Sequence, residues 1–129
     1  MKLFIAVLFL FLISGLFSTT AKADEDRWEY IGQTEGINYY YDKETLTNPS
    51  RGVVKVWMKS NESDFRSPDS PLYVVFLIQL KCNEKQYQIN SVVAFYEDGN
   101  KTFPTKEVWE NITPHSAGET WIETLCNDH

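Results

Sequence analysis

Residues 72–82 alternate with a period of two, and this restricts the fold more than any other feature of the chain. The even positions are Leu72, Val74, Phe76, Ile78, Leu80 and Cys82, all apolar. The odd positions end in Gln79 and Lys81, so one face at that end meets solvent. Successive side chains on a strand point to opposite faces. A strand of this kind belongs to an antiparallel sheet, packed on one face and solvated on the other. Residues 53–59 repeat the pattern, with Val54, Val56 and Met58 on one face and Lys55, Trp57 and Lys59 on the other. Strict alternation in residues 86–97 predicts Tyr87, Ile89, Val93 and Phe95 on one face, with Gln86, Gln88 and Asn90 opposite.

Near the C-terminus the period changes. Trp121, Ile122, Leu125 and Cys126 form one apolar stripe at helical spacing. Ser116-Ala117-Gly118-Glu119 before it reads as a capping box, in which the Ser116 hydroxyl accepts from the amide of Glu119 and the Glu119 carboxylate reaches back. The chain has two cysteines. Cys82 falls on the apolar face of the best strand and Cys126 on the apolar face of the helix. In an oxidising compartment an isolated pair most simply forms one disulfide, which here would pin the helix across the sheet. The competing reading is a pair of thiols in a metal or redox site. It lacks C-x-x-C spacing and has only His115 and His129 as imidazole ligands.

The compartment follows from the start of the chain. Met1-Lys2, an apolar run from Leu3 to Phe17 and Ala21-Lys22-Ala23 have the three parts of a cleaved signal peptide over residues 1–23. The residue after the cut is Asp24 rather than cysteine, so the expected mature protein is periplasmic or secreted without a lipid anchor. It is a single domain, residues 24–129. Of 12 basic residues, Lys2 and Lys22 leave with the signal, so 10 remain against 18 acidic ones, a net charge of −8. Such a chain repels nucleic acid and anionic lipid. No second apolar run is long enough to span a bilayer.

Turn chemistry divides the rest into short strands. Expected strands cover residues 28–31, 37–41, 53–59, 72–82 and 86–97, with weaker ones at 101–103 and 108–112. Gly36 breaks the first pair, and residues 48–52 (Asn-Pro-Ser-Arg-Gly) form a turn cluster. Residues 60–71, with two prolines, read as a loop. Asp98-Gly99 is a hairpin signal.

The ordered set of residues resembles the surface-adhesin E family of bacterial secreted proteins. It runs from Trp28 and Ile31 through Tyr40-Tyr41-Asp42, Leu46 and Val54-Lys55-Val56-Trp57 to Cys82, Tyr96 and Asp98-Gly99. It closes with Trp109, Ile112-Thr113-Pro114, Ser116 and Cys126. The resemblance implies an α+β, mainly β fold: a curved antiparallel sheet of about six strands with a C-terminal helix disulfide-tethered to it. It also implies adhesion, since the family's namesake is a surface protein that binds host matrix and plasma proteins.

Enzyme signatures are absent: no G-x-S-x-G, H-E-x-x-H, Walker loop or G-x-G-x-x-G occurs. His115 and Ser116 are sequence neighbours, which does not create nucleophile–base geometry. No cofactor and no metal site is expected. A binding surface is easier to place. Lys55, Trp57 and Lys59 put an aromatic between two cations on the face opposite the apolar one. In Tyr39-Tyr40-Tyr41, alternation sends at least one ring to the core, and Tyr40 is the candidate for a stacking surface. The expected function is non-enzymatic binding of a protein or cell-surface macromolecule. The alternative is a periplasmic inhibitor or accessory protein acting on an envelope protein. An exposed sheet edge is compatible with a homodimer.

Overall fold

A computed structural model describes residues 26–62 and 69–127. The expected signal peptide lies outside these residues, as do His129 and part of the expected 60–71 loop. The described chain is one antiparallel sheet and one helix. The strands are β1 (Trp28–Thr34), β2 (Ile37–Asp42), β3 (Thr47–Ser50), β4 (Val53–Glu62), β5 (Tyr73–Lys81), β6 (Gln86–Tyr96), β7 (Gly99–Phe103) and β8 (Glu110–Asn111). The helix is α1 (Ala117–Asn127).

Six strands follow the path β1-β2-β4-β5-β6-β7, and the two short ones fill the remaining ends: β3 pairs with β4, and β8 with β6. The short turns account for the meander. Thr34 faces Ile37 across the two-residue loop Glu35-Gly36. Both loop residues have positive φ, 52° and 80°, as a type I′ hairpin turn needs. The hairpin expected at Asp98-Gly99 forms between β6 and β7.

One face of the sheet carries the core. Val54, Val56 and Met58 from β4 meet Phe76, Ile78 and Leu80 from β5, and Ile122 and Leu125 of α1 close over them. Trp121 packs edge-on to Tyr39 with ring centroids 5.2 Å apart. Tyr39 and Tyr41 belong to this face, and burial raises the Tyr39 phenol pKa, helped by the charge of Glu35. Cys82 and Cys126 are disulfide-bonded with Cα atoms 5.8 Å apart, so α1 is tied to the end of β5.

Beyond the extension of β1 from Ile31 to Thr34, three strand expectations change. Thr47–Ser50, read as the start of a turn, is an exposed edge strand. Pro49 is tolerated there because an edge residue need not donate to a ladder. β4 continues to Glu62, since Ser60, Asn61 and Glu62 find partners in Tyr39, Asn38 and Ile37. Of the weak strand at 108–112, only Glu110 and Asn111 pair.

A fourth correction reassigns a face. Ile78 pairs with Ile89 and Leu77 with Ser91, which leaves Asn90 as an extra residue in β6. Such a bulge shifts the alternation by one position. Tyr87 and Ile89 stay on the core side, but Val92 and Ala94 follow them there, facing Phe76 and Val74. Val93 and Phe95 turn to the opposite face, beside Val75 and Tyr73. The chain holds the bulge open with side chains: Thr105 Oγ1 donates to the Asn90 carbonyl at 3.3 Å, and Gln88 Nε2 to the Glu107 carbonyl at 2.8 Å.

The start of α1 uses Ser116 and Glu119 with partners other than those of the expected box. His115 takes a left-handed conformation, φ 63°, which turns its N–H to the Glu119 carboxylate at 3.0 Å. The Ser116 hydroxyl donates to the Thr113 carbonyl at 2.6 Å. A Ser116→Ala protein, which loses this bond, should lose about 1 kcal/mol, read as a lower urea midpoint. An unchanged midpoint would mean the bond contributes nothing.

Candidate binding face of the sheet

Among the described residues, no helix covers the second face of the sheet. Its side chains come from the positions that alternate with the core. The β4 residues Lys55, Trp57 and Lys59 lie here, as their period predicts. Across the sheet, Tyr30, Tyr40, Lys59, Val75 and Val93 are successive cross-strand partners. Cross-strand partners share a face with Cβ atoms about 5 Å apart.

Lys59 is the centre of this face. Its Nζ lies 4.9 Å from the ring centroid of Trp28, 5.0 Å from that of Tyr40 and 5.9 Å from that of Tyr73. All three are within cation–π range. The cage is braced from outside: Tyr30 meets Tyr40 edge-on at 5.5 Å, and Tyr73 stacks on Phe95 at 4.7 Å. Among the described residues, no carboxylate lies within ion-pair distance of Lys59. Burial among the rings lowers its pKa, because desolvation disfavours the charged form.

Beside the cage is an open cleft of about 310 Å³ lined by Trp28, Trp57, Val75, Arg27 and Asp42. Its polar border is an ion pair. Arg27 donates to Asp42 Oδ2 from Nη2 at 2.7 Å and from Nε at 3.0 Å. Asp42 is 3% exposed, and its Oδ1 accepts from the Glu44 amide at 3.0 Å. Glu44 adds a second carboxylate 3.6 Å from Arg27.

The structure therefore brings Tyr40, Trp57 and Lys59 together and sets Lys55 apart. Lys55 is four residues from Lys59 along β4, about 13 Å at the strand rise. It pairs with Gln79, which faces Gln88 in turn. That end of the face is polar: Gln79 Nε2 donates to Asn90 Oδ1 at 3.0 Å. Trp28 and Tyr73 are cage residues that the sequence reading passed over. A signal existed for Tyr73, because the odd positions of the 72–82 strand begin Tyr73, Val75, Leu77. Nothing local marks Trp28, which joins the cage through the β1–β2 pairing opposite Asp42.

A second hollow, about 270 Å³, lies under the 104–110 segment against Tyr87, Ile89 and Val92. Tyr87 donates to Glu110 at 2.6 Å. That bond, with burial and the Glu110 charge behind it, raises the Tyr87 pKa. In the turn before α1 the Ser116 hydroxyl is spent on the Thr113 carbonyl and the His115 backbone N–H on the Glu119 carboxylate. Among the described residues, no cluster of three or more His, Cys, Asp or Glu side chains could hold a metal ion, and no helix is long and apolar enough to cross a membrane.

This architecture has solved counterparts. Crystal form II of Haemophilus influenzae protein E aligns at 16% identity with a TM-score of 0.56, covering 76% of this chain and 92% of that one. Its selenomethionine form aligns at 18% identity and 0.59, covering 78% and 87%. Protein E from a non-typeable strain aligns at 16% and 0.54, covering 76% and 75%. At these identities the likeness is one of fold. No curated protein matches the chain. The family model described as Surface-adhesin protein E matches residues 28–127, from the first strand of the sheet to the end of α1. The chain belongs to the surface-adhesin protein E family.

Proposed function

We propose that this protein is an exported, non-enzymatic binding module that takes a protein or other macromolecular partner on the helix-free face of its sheet. Residues 1–23 direct export and are removed, and the mature domain, residues 24–129, acts in the periplasm or outside the cell. The carrying observation is the aromatic and cationic surface of Trp28, Tyr40, Trp57, Lys59 and Tyr73. Tryptophan and tyrosine dominate the energetics of protein interfaces, because they offer large rigid area at low entropic cost. Family membership favours adhesion to host surface molecules as the use of that face.

The test is a Trp57→Ala protein whose fold is verified by circular dichroism and an intact disulfide. Its binding to a panel of matrix proteins and to epithelial cell surfaces should fall about 30-fold or more, the effect of losing a hot-spot side chain worth ~2 kcal/mol. Unaltered binding and unaltered self-association would remove this face from the mechanism. Protease shaving of intact cells tests location. Digestion from outside supports surface adhesion, and protection in the soluble periplasm assigns an accessory or inhibitory role on an envelope protein instead.

A further inference from the structure

We infer that the cleft beside Lys59 binds a carboxylated sugar, a pyranose ring carrying a carboxylate, with Lys59 as the anion's partner. This rests on the reading above, that the helix-free face is the binding face, and names what it accepts. An aromatic cage usually receives a ligand's cation. Here the cage is filled by the protein's own ammonium, 4.9 and 5.0 Å from Trp28 and Tyr40. A ligand cation has no room and would be repelled. The cage therefore carries positive charge of its own beside the cleft.

Among the described residues that charge has no carboxylate partner. The nearby Arg27 is neutralised by Asp42 at 2.7 Å and Glu44 at 3.6 Å. Lys59 has no such partner among the described residues, in a chain whose acidic residues outnumber its basic ones 18 to 12. A half-buried cation without a counter-charge carries a desolvation cost that a ligand anion would offset.

The cleft argues for a sugar over an acidic peptide. Its volume of about 310 Å³ suits one ring rather than a folded segment. Trp28, Trp57 and Val75 border it. The C–H face of a pyranose is a rigid apolar plane that packs on indole, whereas an Asp or Glu side chain has no such face. The Arg27–Asp42 pair supplies a polar border for hydroxyl groups. Lys59 and Val75 are cross-strand partners, so the ammonium-bearing side chain starts beside the cleft.

The experiment is an amide NMR titration of the mature domain with glucuronate, with glucose as the neutral isostere, and with a hexaglutamate peptide. Glucuronate should move the amides of β2, β4 and β5 around Lys59, and glucose should bind at least ten-fold more weakly. Lys59→Met keeps the aliphatic stem on the rings and should weaken glucuronate binding about ten-fold, equivalent to ~1.4 kcal/mol. Lys59→Arg should retain it, and the spectra themselves report whether each variant is folded. Equal binding of glucose and glucuronate, an unchanged Lys59→Met, or no response at tens of millimolar overturns the inference. So does a hexaglutamate response at these amides without a glucuronate one, which assigns the face to acidic proteins. If Trp57→Ala abolishes adhesion while glucuronate is silent, the binding-face reading stands and the sugar fails. If glucuronate binds at Lys59 while Trp57→Ala adheres normally, the sugar site stands and that reading fails.

Discussion

A Cys126→Ser protein is expected to be about 4 kcal/mol less stable than the disulfide-bonded form. The bond joins residues 44 apart in sequence. Cross-linking a loop of this length removes much of the unfolded chain's freedom, and the penalty for losing the link grows only slowly with length. A domain of this size typically has only 5–15 kcal/mol of total stability. The melting temperature should fall by roughly 15–30 °C at 4–8 °C per kcal/mol. Thermal and urea unfolding of the oxidised, reduced and Cys126→Ser proteins measure it. The Cα separation of 5.8 Å lies in the normal range for a disulfide. The loss should be felt first in α1, so the amides of Ala117–Asn127 should exchange faster than those of β4 and β5. Identical melting of the oxidised and reduced proteins would refute this account.

Leu125→Ala should cost about 4 kcal/mol with the disulfide intact, within the usual range for a buried leucine. Leu125 is fully buried, at 0% exposure, and packs into the cluster of Val54, Val56, Met58, Ile78 and Leu80. The next residue is the bridged Cys126, so the backbone cannot sink into the cavity left behind. Incomplete collapse places the cost in the upper part of the cavity-dependent range. Chemical denaturation under non-reducing conditions reads it directly. A loss under 1 kcal/mol would mean that the bond, rather than packing, holds the helix on the sheet.

The two effects differ in kind, and the helix needs both. Eleven residues form a marginal helix alone in water. Ile122 and Leu125 give it an apolar face, and the sheet gives that face somewhere to bury. The disulfide acts on the unfolded chain, whereas Leu125 acts in the folded one. This is why the Ser116→Ala effect at the start of the helix is expected to be several-fold smaller than either.

On the other side of the sheet, Lys55, Trp57 and Lys59 were placed by their spacing alone, yet only two of them reach the cleft and cage. Period two assigns a residue to a face and says nothing about its neighbours there. Those are set by strand register, and the register of β2 against β4 puts Tyr40 opposite Lys59. Tyr73 reaches Lys59 from β5, fourteen residues later in the chain, and Trp28 from β1, thirty-one residues earlier, separations that no short window of sequence spans.

The sequence by itself determined the alternation in β4 and β5, the apolar stripe of α1, the cysteine pair, the break at Gly36 and the Asp98-Gly99 hairpin. Each is a local property: side-chain period, turn chemistry, or the shortage of alternatives for two lone cysteines. Only the tertiary structure decided the face of Val93 and Phe95, because the extra Asn90 in β6 is a misfit between two strands and no property of either. It also decided that Thr47–Ser50 pairs as an edge strand, and that Trp28, Tyr40 and Tyr73 close around Lys59. Ring and cation come from four different strands, and a cage of that kind exists only once their pairing does.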